Sequence, residues 1–146
     1  MRSGCLVAAG LVIVGAAMVV AVVAWQSRGS GRIALGTLEG LEPGAVVYHA
    51  SDHVFVVIEA DRSPLVLSDL DPHNPPGRDT CRVTFRPDLG GPDQAGRFFD
   101  ACTGSTYDST GRGVLGDGLN LRRVTTQFDD RGQLTIAADD AASSVP

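Results

Sequence analysis

The sequence predicts an all-β domain of stacked antiparallel sheets or a small barrel, preceded by one N-terminal transmembrane helix. Three observations carry this. Residues 5–25 form an apolar run with no charged side chain. Beyond residue 32 the apolar residues come in short runs with no sustained 3.6-residue period. Glycine and proline punctuate those runs densely, with 18 and 8 in the 146-residue chain, which favours strands joined by turns over helices.

Taken in order, residues 1–4 are a short flank carrying Arg2. The 21 residues of the apolar run, as a helix, reach roughly 31 Å, which matches a hydrocarbon core of about 30 Å. A retained membrane anchor is the direct reading. A cleaved secretory signal, cut after Ala24, is the competitor, although the run is longer than a usual signal core. Residues 26–32, with Ser27, Gly29, Ser30 and Gly31, read as a flexible linker. The domain then occupies 33–137, and the small and polar residues 138–146 read as a frayed tail.

Within the domain the expected strands are 33–38, 45–49, 54–59, 65–68, 81–85, 97–100, 122–128 and 133–137. Turn signals separate them at Glu42-Pro43-Gly44, at Asn74-Pro75-Pro76-Gly77 and at Asp129-Asp130-Arg131-Gly132. Eight short strands of this kind suit stacked antiparallel sheets.

Charge narrows the function. All 17 acidic residues lie after Arg32, against nine arginines there, for a formal charge of −8. A general nucleic-acid binder needs a basic surface and is excluded. The chain has no lysine, so Schiff-base chemistry is excluded too. No Ser-His-Asp order or nucleophile elbow is present, Gly116-Asp117-Gly118 lacks the lysine and context of a phosphate cradle, and no catalytic residues are assigned. His49 and His53 read as strand-end residues.

Two segments carry a resemblance: Leu67-Ser68-Asp69-Leu70-Asp71-Pro72-His73 running to Cys81, and Phe99-Asp100-Ala101-Cys102-Thr103-Gly104-Ser105-Thr106-Tyr107-Asp108. Together they resemble the two cluster-holding loops of the Rieske iron-sulfur family, in its quinol-oxidising, disulfide-bearing branch. In that family one Cys and one His from each loop hold a two-iron two-sulfur cluster, with both His on one iron.

The resemblance implies that Gly104, Ser105, Tyr107 and Asp108 match the family's Gly, Ser, Tyr and Asp. It implies that Cys81 and Cys102 form the disulfide joining the loops, and that His73 stands at the first-loop histidine. The other three ligand positions have changed, with Asp71 and Asp100 at the two cysteines and Thr103 at the second histidine. Soft thiolates have become hard oxygen donors, so the expected cofactor is none. A 2Fe-2S cluster held with Asp71, His73 and Asp100, transferring electrons, is the alternative; a single metal ion on the same three residues is another. Against the metal stands the reading of Asp71 and Asp100 as members of solvent-facing turns. Ser105 and Tyr107, which face cluster sulfurs in the family, are expected to satisfy loop carbonyls or water. Asp108 and Gly111 are expected to be turn residues.

A disulfide belongs in an oxidising compartment. The expected location is therefore the cell membrane, single-pass, with the amino terminus cytoplasmic and the domain extracytoplasmic. Its partners would be membrane lipid through residues 5–25 and a subunit of a membrane redox complex.

Overall fold

The structure is a computed structural model that describes residues 31–72, 81–91, 94–116 and 118–138. The expected anchor at 5–25, most of the linker, His73, the turn at 74–77 and the tail beyond 138 lie outside the described residues. The chain divides between Gly31 and Arg32, and the unit that begins at Arg32 is all-β.

Ten strands form three antiparallel sheets: β1 (Arg32–Gly36), β2 (Val46–His49), β3 (Val54–Ile58), β4 (Pro64–Ser68), β5 (Val83–Arg86), β6 (Arg97–Asp100), β7 (Thr106–Tyr107), β8 (Gly113–Leu115), β9 (Thr126–Phe128) and β10 (Leu134–Ala137). Their orders are β1-β10-β9, β2-β3-β4 and β5-β6-β7-β8. A 3-10 turn at Pro87–Leu89 follows β5.

The middle sheet explains the stacking. Every residue of β3, Val-Phe-Val-Val-Ile, is buried, whereas a strand with one wet face would alternate apolar and polar. Val54, Val56 and Ile58 pack with Val66 of β4 against Leu35, Leu134 and Ile136 of the first sheet. Phe55 and Val57 turn the other way, joining Leu65 and Leu67 in a second core with Val83, Phe98 and Tyr107 of the third sheet. An unbroken apolar run is thus what a strand needs when sheets cover both of its faces.

Most expected strands are present with edges shifted by one or two residues. The segment 122–128 differs more, because only Thr126–Phe128 pairs as a strand, with β10. Its first half is committed elsewhere: Ser68 N donates to Arg122 O at 2.9 Å, Val124 N to Val66 O at 2.9 Å, and Leu67 bridges Arg123. The chain there crosses from β4 to β10, so one apolar stretch serves two sheets. The pair β7 and β8 was not expected from the sequence; each is too short to show a period.

The turn at 129–132 follows its residue types. Asp129 Oδ1 accepts the Arg131 and Gln133 amides, and Gly132 adopts φ +73°, a left-handed conformation that favours glycine.

Leu67 sits in the second core with no exposed surface, and its Cδ atoms lie against Gly111. Leu67→Ala is expected to destabilise the domain by about 2–5 kcal/mol, read as a lower urea midpoint at unchanged slope.

Candidate functional site

Strand alternation decides where the second loop begins. In β6, Phe98 and Asp100 are buried while Arg97 and Phe99 are partly exposed, so the two-residue period carries the Asp100 carboxyl to the same inner face as the Phe98 ring. The chain then folds back at once, with Gly104 N donating to Asp100 O and Asp100 N to Ser105 O, each at 2.9 Å. Gly104 takes φ +76° in this turn.

The first loop leaves β4 and pairs with the segment entering β5. Val83 N donates to Asp69 O at 2.7 Å, Leu70 bridges Arg82, and Asp71 N donates to Cys81 O at 3.4 Å. Cys81 is joined to Cys102 by a disulfide with a Cα–Cα distance of 5.8 Å. That crosslink ties the two loops at 81 and 102, and it spans 21 positions of sequence.

Asp71 and Asp100 do not lie in solvent-facing turns, as their sequence context suggested. They are 2% and 0% exposed, and their side chains hydrogen-bond to each other. Asp100 Oδ1 accepts the Cys102 amide at 2.9 Å, and Oδ2 accepts the Thr103 amide at 3.0 Å together with the Thr103 hydroxyl. Asp71 Oδ1 accepts the Tyr107 hydroxyl at 3.3 Å. The reason for the inward placement is that three donors of the following turn, the Cys102 and Thr103 amides and the Thr103 hydroxyl, await Asp100 there, and a carboxylate has lone-pair sites enough to accept them all.

Burial drives the Asp100 carboxyl upward, but the Thr103 hydroxyl, the Cys102 and Thr103 amides and the Asp71 carboxyl outweigh it and hold Asp100 below the usual carboxylate range. Two carboxyls in hydrogen-bond contact inside a protein titrate as a pair.

Tyr107 and Ser105 are both buried, and their hydroxyls meet side chains of the two loops. Tyr107 reaches Asp71, and Ser105 forms a hydroxyl–hydroxyl bond with Thr103 at 2.9 Å. Gly116, at φ +105°, lies directly over Ser105, where a Cβ would come within 2.3 Å of the Ser105 hydroxyl oxygen. Asp108 and Gly111 are turn residues: Asp108 Oδ1 accepts the Thr110 and Arg112 amides, and Gly111 has φ +78°.

Sequence reasoning missed a third buried carboxylate, Asp69, two residues upstream of Asp71. Asp69 accepts Tyr48 Oη at 2.7 Å and His53 Nδ1 at 3.1 Å on Oδ2, and the Arg82 guanidinium on Oδ1. Burial and the bond to Asp69 push the Tyr48 phenol up to about 12. His49 and His53 do stand at the ends of β2 and β3, but no residue pattern foretold the meeting of four side chains from three segments.

The donor set does not fit a two-iron two-sulfur cluster. Such clusters take thiolates and imidazoles; Cys81 and Cys102 are spent on the disulfide, Thr103 is a neutral hydroxyl, and Asp100 accepts three hydrogen bonds from Cys102 and Thr103. His73 lies outside the described residues. Among the described residues no three His, Cys, Asp or Glu side chains converge in a way that could hold a metal ion.

Compared by sequence, the chain matches no protein-family model and no curated protein. Among solved structures it is similar to the cyanobacterial plasma membrane Rieske protein PetC3 from Synechocystis PCC 6803, at 18% identity, covering 71% of this chain and 97% of that one, with a TM-score of 0.48. It is also similar to a putative nitrite reductase NADPH small-subunit oxidoreductase protein, at 16% identity over 73% of this chain and 97% of that one, with a TM-score of 0.38.

The hydrogen bonds make the two aspartates unequal. An amide at 71 keeps an oxygen to accept from Tyr107 and gains a donor to offer Asp100, so Asp71→Asn is expected to cost less than about 1 kcal/mol. An amide at 100 turns a donor toward the Thr103 amide and leaves it unsatisfied, so Asp100→Asn is expected to cost about 2–3 kcal/mol. Urea unfolding of the two variants at neutral pH checks this order.

The lowered Asp100 value also sets a direction with pH. A carboxyl held lower in the folded state than its unfolded value of ~3.9 contributes stability above that value and loses it as pH falls through the folded one. Urea midpoints between pH 7 and pH 2 are expected to fall on acidification, with a smaller fall in Asp100→Asn.

Proposed function

We propose that the chain is a membrane-anchored, extracytoplasmic, Rieske-like domain that has lost its cluster and acts as a structural or binding module beside a membrane redox complex. The observation that carries this reading is the contact of Asp71 with Asp100. At the two positions that correspond to the family's cluster cysteines stand carboxyls that are buried and bonded to each other, with protons from Cys102, Thr103 and Tyr107 on their oxygens.

The chemistry of the exchange supports it. A thiolate offers iron a soft anionic sulfur, while a carboxylate is a hard donor that binds such centres more weakly. Asp100 would have to release its hydrogen bonds before it could bind iron, and each bond to an ionised group is worth about 1.5–3 kcal/mol. The family's second-loop string keeps Gly104, Ser105, Tyr107 and Asp108, and the Cys81–Cys102 bridge is kept with it. The framework of the loops is thus retained where the metal donors are not.

The membrane part rests on the sequence. Residues 5–25 have the length and composition of a span, residues 26–32 have the composition of a tether, and a bridged cystine suits an oxidising compartment. A protein of this kind contributes contacts to an assembly, with no substrate turned over on its own chain.

Iron and acid-labile sulfide content, with electron paramagnetic resonance of the dithionite-reduced chain purified anaerobically from its native membrane, tests the proposal. The expected outcome is iron far below one atom per chain and no reduced-cluster signal. Two iron atoms per chain with a Rieske-type spectrum would overturn it. Independently, Cys81→Ser with Cys102→Ser is expected to lose roughly 3 kcal/mol of stability, since the bridge serves the framework; an unchanged urea midpoint would contradict that role.

A further inference from the structure

We infer that Arg112, Asn120 and Arg123 form a binding site for a phosphate group, carried either by a lipid headgroup or by free phosphate. The site lies in a cavity of about 170 Å³ lined by Thr110, Gly111, Arg112, Asn120, Leu121 and Arg123. That volume is several times the ~30 Å³ share of one water molecule.

Two short arms build it. On the first, Asp108 Oδ1 accepts the Thr110 amide, the Thr110 hydroxyl and the Arg112 amide, which fixes the turn from which Arg112 projects. The second arm is pinned across to the first, since Leu121 N donates to Gly111 O at 2.8 Å and Gly113 N donates to Asn120 Oδ1 at 3.0 Å. A Cβ at Gly111 would come within 2.9 Å of Leu67 and 3.2 Å of Leu121, so the floor of the cavity rests on the core.

The charges in it are unspent. Arg62 pairs with Glu42, Arg82 with Asp69 and Arg86 with Asp88, as expected in a domain with an excess of acids. Arg112 and Arg123 have no carboxylate partner among the described residues, and both are exposed. With its oxygen committed to Gly113 N, the Asn120 amide keeps two N–H donors to offer. Two guanidinium groups and an amide on one cavity suit a group with several acceptor oxygens, and guanidinium binds phosphate through paired parallel hydrogen bonds. The loop between the arms exposes Val114, Leu115 and Leu119, which is why a lipid source is considered beside a soluble one.

The test uses the full chain, labelled with nitrogen-15. Inorganic phosphate is titrated into the protein in neutral detergent while the amides of 110–113 and 120–123 are followed by nuclear magnetic resonance. The same amides are compared in nanodiscs of phosphatidylcholine and of phosphatidylglycerol. Saturable shifts confined to these residues on adding phosphate support a soluble ligand; shifts on changing to phosphatidylglycerol alone support a headgroup. Arg112→Gln with Arg123→Gln is expected to weaken the response at least tenfold. Asn120→Asp keeps the acceptor for Gly113 N but replaces the amide donors with negative charge, and is expected to do the same. The inference is overturned if neither arm moves these amides, if acetate moves them as strongly as phosphate, or if both variants bind as the parent does.

Discussion

One buried carboxylate ringed by hydrogen-bond donors governs the loop end of this domain. Asp100 closes β6, faces the core beside Phe98, collects hydrogen bonds from Cys102 and Thr103, and bonds to Asp71. Because an unpaired buried charge costs several kcal/mol, these partners must stand where they do: the loop returns tightly through Gly104, Thr103 turns inward, and Asp71 of the other loop meets the carboxyl. The cystine then fixes the two loops covalently beside that contact. Tyr107 and Ser105 extend the same network outward.

The consequence is a junction held by hydrogen bonds and a covalent bridge. The Asp71–Asp100 contact and the amides of Cys102 and Thr103 draw the loops together, and the Cys81–Cys102 cystine joins them. A carboxyl pair of this kind answers to pH. The proposed loss of the cluster is compatible with this framework, because the bridge and the hydrogen bonds hold the loops without a metal.

Much of this was legible in the sequence, and the failures have physical causes. The strands of the middle sheet could be read because β3 and β4 are long enough to show an unbroken apolar run, and the turn at Asp129–Gly132 because its residue types act locally. The strands β7 and β8 could not, since two or three residues define no period. The inward Asp100 had a visible signal, its two-residue spacing from Phe98, but the neighbouring turn-forming residues pointed to solvent. Asp71, followed by Pro72, was misread for the same reason. Burial of a carboxyl depends on donors supplied by distant segments, and so does the Asp69 cluster with Tyr48, His53 and Arg82. Local composition does not carry that information.

The central claim concerns the contact of Asp71 with Asp100, and infrared spectroscopy of the full chain with carbon-13 in the aspartate carboxyls reads it directly. The account predicts buried, hydrogen-bonded carboxyl bands that shift in Asp71→Asn and are unaffected by ferrous iron and sulfide. A spectrum that Asp71→Asn leaves unchanged, or in which those bands move as iron is taken up, would contradict it.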